Sequence, residues 1–361
     1  MKKNWIYIVL LCLIILINVL PRFGEKEEPL DEVNIESEET RTLFVDFEEA
    51  QRRSKKIEEV LKNDLPMRIF YTSINSLIVF IFLLGLVANG YFILSLFKKK
   101  RIFQRIHNIN PPDWKIGEVF KIIILGLTFS YIFFMIISFL KGFLEPITGS
   151  EFVFFSNENF RMIFHTIILD FIIFLVILKF LWNVHKARLA DLGLVKDNMA
   201  RNIFYGISGY VAVMPVILII GIVAYILLNI LELAPPPQPI VGLFLMEKNV
   251  ALVFISSVIA SVFGPVIEEI FFRGVMYNAV KRKLGVFWGI FITSILFSFL
   301  HTHAFTYFLV GFIPIAILGG VLAYLYEKTG SLIPSITLHI LNNVGSVIMV
   351  FLFKYFNSLV T

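Results

Sequence analysis

About nine long runs of apolar residues restrict what this chain can fold into. A helix needs about 20 apolar residues to cross the hydrocarbon core of a bilayer. The approximate cores of the runs are Trp5–Leu20, Ile69–Phe97, Ile122–Leu140, Met162–Leu178, Ile203–Leu231, Val250–Val280, Leu284–His303, Phe308–Tyr326 and Leu332–Phe353. None of them alternates polar and apolar residues as a membrane β-strand does. We therefore predict an all-α fold, a polytopic transmembrane bundle of about 8–9 helices.

The composition agrees with a chain that lies largely in lipid. Hydrophobic residues make up 58% of the 361 residues and charged residues 16%, whereas soluble domains carry about 25% charged residues. The net charge of +5 is modest. The basic residues cluster in short loops, so they indicate membrane topology and not nucleic-acid binding. The single cysteine, Cys12, excludes an internal disulfide and a Cys-x-x-Cys metal site.

Basic loops also predict the orientation in the membrane. Residues 98–101, Lys186 with Arg188, and residues 281–283 each follow an even-numbered run, so all can lie on one side. Basic loops favour the cytoplasmic side, which predicts a cytoplasmic N-terminus and an extracytoplasmic C-terminus. The first run resembles a secretory signal but has no small-residue cleavage site, so we expect an uncleaved anchor.

This topology divides the chain into four parts. Residues 1–23 are the N-terminal membrane anchor, and residues 24–68 are an acidic, partly disordered extracytoplasmic loop. A short helix is expected in that loop near Phe47–Leu61. Residues 69–115 form a transmembrane helix and a basic cytoplasmic loop. Residues 116–361 form the domain that carries the polar residues discussed next.

The sixth run contains two adjacent carboxylates, Glu268 and Glu269. An ionisable side chain inside a span is costly, so it faces a protein interior or a wet cavity. Glu269 and Arg273 lie four residues apart and share a helix face, while Glu268 points about 100° away. One carboxylate can pair with Arg273 while the other faces a cavity and acts as a general base. An internal salt bridge near the helix end is the structural alternative.

Further polar residues occur at His301, near the end of the seventh run, and at His339 and Asn343 in the ninth. His339 and Asn343 share a helix face, which suits binding of a developing oxyanion or a water. Hydrogen bonding between helices would also explain this pair, and His301 could be an interfacial histidine. His303 points to another face and is predicted to be non-catalytic. In straight helices, Glu268 and His301 lie at similar depth, about 20–27 Å from the loop between them, so a shared site is feasible.

Taken in order, these motifs resemble those of the CAAX protease and bacteriocin-processing family, the family of the type II CAAX prenyl endopeptidase. The matches are Glu268-Glu269-x-x-x-Arg273, Phe297-x-x-x-His301 and His339-x-x-x-Asn343. The resemblance covers about residues 250–350, with weaker similarity upstream from near Trp114. It implies that residues 116–361 form an all-helical intramembrane endopeptidase domain.

The resemblance also implies a role for each motif residue. Glu268 would activate a water with help from His301. Arg273 would orient the carboxylates, and Glu269 would support the groups that contact the substrate. Both polar residues of the ninth run, His339 and Asn343, would stabilise the tetrahedral oxyanion.

No cofactor is required in this interpretation, but a zinc-dependent form is an open alternative. Glu268, His301 and His339 would then be the ligands, because carboxylate and imidazole bind zinc, which lowers the pKa of a bound water. We favour the metal-free form.

The expected partners are membrane lipid and a membrane-associated protein or peptide substrate, with no nucleic acid. Two other functions remain open: a non-enzymatic binding or immunity protein that keeps the fold, and a proton-coupled transporter with a carboxylate relay. The sequence has no recognisable internal repeat, which argues against the transporter. His165 and Asp170 in the fourth run could line the same cavity or pair internally.

Overall fold

The chain folds into helices, which satisfy their own backbone hydrogen bonds as lipid requires. The computed structural model describes residues 5–24, 47–98, 102–103, 105, 111–149, 157–231, 239–302 and 311–359. These residues contain no β-strand. Six helical segments among them are long and apolar enough to cross a membrane. The predicted all-α, polytopic bundle is therefore confirmed, and the protein is a multi-pass membrane protein.

The helices follow the predicted apolar runs and extend beyond most of them. In chain order they are α1 (Trp5–Gly24), α2 (Phe47–Asn63), α3 (Leu65–Phe97), α4 (Ile116–Thr148), α5 (Glu158–Lys179), α6 (Met199–Ile230), α7 (Pro239–Met246), α8 (Val250–Val258), α9 (Gly264–Glu269), α10 (Asn278–His301), α11 (Ile313–Thr329) and α12 (Leu332–Ser358). Helix α2 is the short helix expected within the acidic loop, near Phe47–Leu61. A 3₁₀ turn at Leu189–Leu192 precedes α6.

Some predicted features lie outside the described residues. They are the basic residues 99–101, residues 25–46 of the acidic loop, His303, and the start of the eighth run at Phe308.

The sixth predicted run is not one continuous α-helix, because π-helical segments interrupt it. In the first, Ile259–Phe263, the Gly264 N–H bonds five residues back to the oxygen of Ile259, and Pro265, which has no N–H, follows. The second, Ile270–Tyr277, joins α9 to α10 and carries Arg273. Such segments within α-helices are frequent at functional sites.

The chain turns back on itself at Gly285, within the residues assigned to α10. Gly285 has a φ of 87° and a ψ of 173°, a conformation that residues with a side chain rarely adopt. Beyond it the chain runs back along the π-helical segment Ile270–Tyr277, and the rings of Phe272 and Phe297 lie 5.0 Å apart. This hairpin returns His301 to the level of Glu268.

Helix α12, which carries the third motif, packs against α6, α9 and α11. Its approach to α6 is close: a Cβ atom added to Gly206 would lie 2.5 Å from Cβ of Thr337 and 2.7 Å from the oxygen of Pro334. His339, one residue after Leu338, is only 2% exposed. Close packing of α6 on α12 therefore helps to fix the position of this histidine.

Candidate active site

Three side chains from distant parts of the sequence meet at one carboxylate oxygen. Oε2 of Glu268 lies 3.5 Å from Nε2 of His301 and 3.6 Å from Nε2 of His339. Both distances exceed those of ordinary hydrogen bonds, about 2.7–3.2 Å. Among the described residues this oxygen has no hydrogen-bond partner. This oxygen is buried and unpaired, so a water molecule held between the two imidazoles would supply the hydrogen bond that it lacks.

One oxygen of the neighbouring carboxylate, Glu269, accepts hydrogen bonds from two protein donors. Its Oε1 accepts hydrogen bonds from Nη1 of Arg273 at 2.8 Å and from Nδ1 of His339 at 2.9 Å. Nη2 of Arg273 also donates to the oxygen of Gly319 at 3.1 Å, and its guanidinium lies 4.7 Å from the ring centre of Phe297. Arg273 thus ties α11 to Glu269, which in turn orients His339.

These hydrogen bonds also determine which ring nitrogens face Glu268. Carboxylate and carbonyl oxygens only accept, so Nδ1 of His339 must donate to Glu269. Nδ1 of His301 likewise donates to the oxygen of Phe297 at 2.7 Å. Each ring therefore presents Nε2 to Glu268, and this nitrogen is an acceptor in a neutral ring and a donor in a charged one.

Asn343 lies beside these groups but is partly occupied. Its Nδ2 donates to the oxygen of Ala260 at 2.9 Å, and its Oδ1 accepts from Nδ2 of Asn342 at 3.3 Å. An asparagine amide has two hydrogens on nitrogen, so one remains for a ligand. The sequence analysis did not single out Asn342, which also lines the site.

A cavity of about 650 Å³ adjoins these side chains, within the range of about 300–1,000 Å³ typical of ligand sites. It extends from Glu268 toward Met162 at the start of α5 and Val350 near the end of α12, away from the basic loop at 281–283. Most of its wall is apolar, with hydroxyl, amide and ionisable groups between. Such a wall suits an extended peptide with apolar side chains.

Asp170 on α5 also lines this cavity. A Cβ atom added to Gly264 would lie 3.7 Å from Oε1 of Glu268 and 4.0 Å from Oδ2 of Asp170, so the two carboxylates flank this glycine. His165 does not line the cavity; its ring stacks on Phe134, with ring centres 4.4 Å apart. The signal in the sequence for Asp170 is a lone carboxylate in the middle of an apolar run.

Glu268, His301 and His339 have the donor atoms of a zinc site, and metal-bound histidines typically donate their other N–H to a carboxylate or carbonyl. As they are arranged, however, no three His, Cys, Asp or Glu side chains in the described ranges have the geometry of a metal site. As arranged, these three side chains therefore do not fit a zinc ion.

Comparisons with known proteins agree with the resemblance of the motifs. Residues 250–345 match the family described as type II CAAX prenyl endopeptidase Rce1-like. A protein of Bacillus subtilis (strain 168), "Putative membrane peptidase YdiL", is 27% identical over 157 residues, which are 43% of this chain and 59% of that protein. No solved structure matches the chain. The predicted family resemblance is thus confirmed for the region that holds all six motif residues.

Proposed function

We propose, from this family relationship, that the chain is an intramembrane endopeptidase that hydrolyses a peptide bond of a membrane-associated protein or peptide. The observation that carries the proposal is the convergence of His301 and His339 on one carboxylate oxygen of Glu268, at the wall of a cavity. Ionisable side chains so far inside apolar helices are energetically costly, so three of them together indicate a function.

In the first step, Glu268 acts as the general base. Its free Oε2 accepts a proton from a water molecule that His301 helps to hold through Nε2. The resulting hydroxide attacks the carbonyl carbon of the scissile bond. A well-placed general base contributes about 10²–10⁴-fold to the rate.

In the second step, negative charge develops on the carbonyl oxygen. With a proton on Nε2, His339 donates to that oxyanion, while Glu269 on Nδ1 balances the charge of the ring. The remaining amide hydrogen of Asn343 is a second donor. When the C–N bond breaks, the proton held by Glu268 passes to the leaving amine, which restores the carboxylate.

Three variants test this proposal: Glu268→Gln, His301→Ala and His339→Ala. Comparative proteomics of membranes with and without the protein would supply a substrate peptide. In purified protein each variant should lower kcat/KM for that peptide by about 10²-fold or more, because each removes a group that acts on the water or the oxyanion. The matched control is Glu58→Gln on α2, whose side chain is 65% exposed and does not line the cavity.

Processing of the peptide by all three variants at the rate of the parent protein would contradict the peptidase. A cell phenotype that survives Glu268→Gln would instead support a non-enzymatic binding protein.

The same assay separates the metal-free form from the zinc-dependent one. We expect full activity after treatment with a chelator and no bound metal in the active protein. Loss of activity on chelation, with recovery on adding Zn²⁺, would favour the zinc form with Glu268, His301 and His339 as ligands.

A further inference from the structure

Asp170 is an ionisable group at the cavity wall that has no role in the proposed reaction. Among the described residues that line the cavity, the titratable side chains are Asp170, Glu268, His301 and His339. The last three act on the water or the oxyanion. Asp170 comes from α5, which carries none of the three motifs.

The charges around the cavity are not balanced within the described part of the chain. The guanidinium of Arg273 is paired with Glu269 at 2.8 Å, and Glu268 faces two imidazoles that can supply a proton. Asp170 makes no hydrogen bond or ion pair with a described residue. Of the described charges that act on Asp170, Glu268 repels it and His301 is shared with Glu268, so a ligand that brings a further cation to this half-buried carboxylate is stabilised.

The geometry at Gly264 limits how far such a cation lies from the reacting bond. Oδ2 of Asp170 and Oε1 of Glu268 are both within 4.0 Å of the same point, so they are less than 8 Å apart. An extended peptide covers about 3.3–3.6 Å per residue. Side chains of an extended peptide project sideways from the backbone, so the residue whose charged group reaches Asp170 lies within about two positions of the bond at Glu268.

We propose that Asp170 belongs to a subsite in which its carboxylate pairs with a basic side chain, lysine or arginine, next to the scissile bond of the substrate. This inference rests on the proposed peptidase function and narrows its substrate class. Gly264 contributes by leaving the space between the two carboxylates open, because any side chain there would contact both. Thr166, one helical turn before Asp170, lines the same wall.

The first test compares substrates with the unaltered protein. Fluorescence-quenched peptides of leucine and alanine carry one lysine that is moved along the chain, each paired with the same peptide containing acetyl-lysine. We expect cleavage within two residues of the lysine and a kcat/KM at least about tenfold higher than for the acetylated partner, because the acetyl group removes the charge that Asp170 pairs with. Equal cleavage of both peptides would overturn the proposal, whatever the variants do.

Variants of Asp170 then identify the residue responsible. Asp170→Asn should lower the ratio of the two kcat/KM values toward one, while Asp170→Glu should retain the preference for lysine. The control, Glu58→Gln, removes a carboxylate from the exposed surface of α2 and should leave the ratio as in the parent. An equal loss on both peptides would mean that Asp170 transfers a proton to the leaving amine, which contradicts the subsite.

A binding measurement keeps this inference separable from the peptidase. In Glu268→Gln protein, fluorescence anisotropy should detect tighter binding of the lysine peptide than of the acetyl-lysine peptide, and adding Asp170→Asn should abolish the difference. If the parent protein cleaves no more than Glu268→Gln, but this Asp170-dependent binding is present, the peptidase fails and the subsite stands. Cleavage without any Asp170-dependent preference overturns the subsite alone.

Discussion

At the scale of single residues, two adjacent glutamates differ because their neighbours differ. Glu269 is completely buried, and one of its oxygens accepts from a guanidinium and an imidazole. The Glu268 side chain is 27% exposed, and its Oε2 has no hydrogen-bond partner in the described part of the chain. Oε2 of Glu269 also lacks a hydrogen-bond partner among the described residues, but this side chain is fully buried and does not line the cavity. Glu269 therefore suits the orientation of other groups, whereas Glu268, at the cavity wall, suits chemistry.

The substitution Arg273→Lys tests the orienting role of this pair. An ammonium group can pair with Glu269, but it lacks the planar fork that also reaches the oxygen of Gly319. Losing one hydrogen bond to a charged group should lower the free energy of unfolding by about 1.5–3 kcal/mol. Cleavage activity should fall as well, because Glu269 then holds His339 less firmly. Thermal unfolding in detergent and the peptide assay measure the two effects.

The matched control is the same substitution at Arg282. That side chain is 54% exposed and paired with Asp113, and exposed ion pairs contribute only about 0–1 kcal/mol. A loss of stability at Arg273 no greater than at Arg282 would show that the buried bridge has no special role.

At the scale of the helices, the site depends on two close approaches of backbone. The hairpin around Gly285 returns His301 to Glu268, and the contact of α6 with α12 fixes His339. Both use glycine where a side chain would be strained or would collide. Small residues let membrane helices pack closely, because lipid provides no hydrophobic force between them.

Two glycines of α6 allow a matched test of the second contact. In Gly206→Ala the new methyl group would collide with Thr337 and with the Pro334 oxygen, which is backbone and cannot turn aside. Overpacking of this kind should cost about 1–3 kcal/mol of stability, and the shift of α12 should lower activity. At Gly221 a Cβ atom would meet nothing within 4 Å, so Gly221→Ala should keep the stability and the activity of the parent protein. Equal thermal stability of the two variants would contradict a tight α6–α12 contact.

At the scale of the whole molecule, the cavity lies on one side of the site. It runs from Glu268 toward Val350, away from the basic loop at 281–283. If that loop is cytoplasmic, as its charge predicts, the cavity lies in the extracytoplasmic half of the membrane. Substrates would then be peptides that reach the site from outside or within the bilayer.

Thiol labelling of intact cells tests this orientation. In a Cys12→Ser background, a membrane-impermeant maleimide should label Ser346→Cys, which lines the cavity, without disrupting the cells. Arg282→Cys in the basic loop should react only after lysis. Met349→Cys, exposed on α12 but not part of the cavity wall, should react with neither treatment because it faces lipid. Labelling of Arg282→Cys in intact cells would reverse the predicted orientation.

The sequence by itself determined the class of fold and the candidate residues, because both depend on local information. A run of 20 apolar residues must cross or enter lipid wherever it occurs, and residues four apart, such as Glu269 and Arg273, share a face in any helix. Tertiary structure alone decided that Glu268 faces both His301 and His339, which nitrogen of His339 faces the site, and that Asp170 and not His165 reaches the cavity. These depend on the rotation of helices many residues apart in sequence, which Gly206 and Gly285 control through contacts and turns that periodicity does not encode.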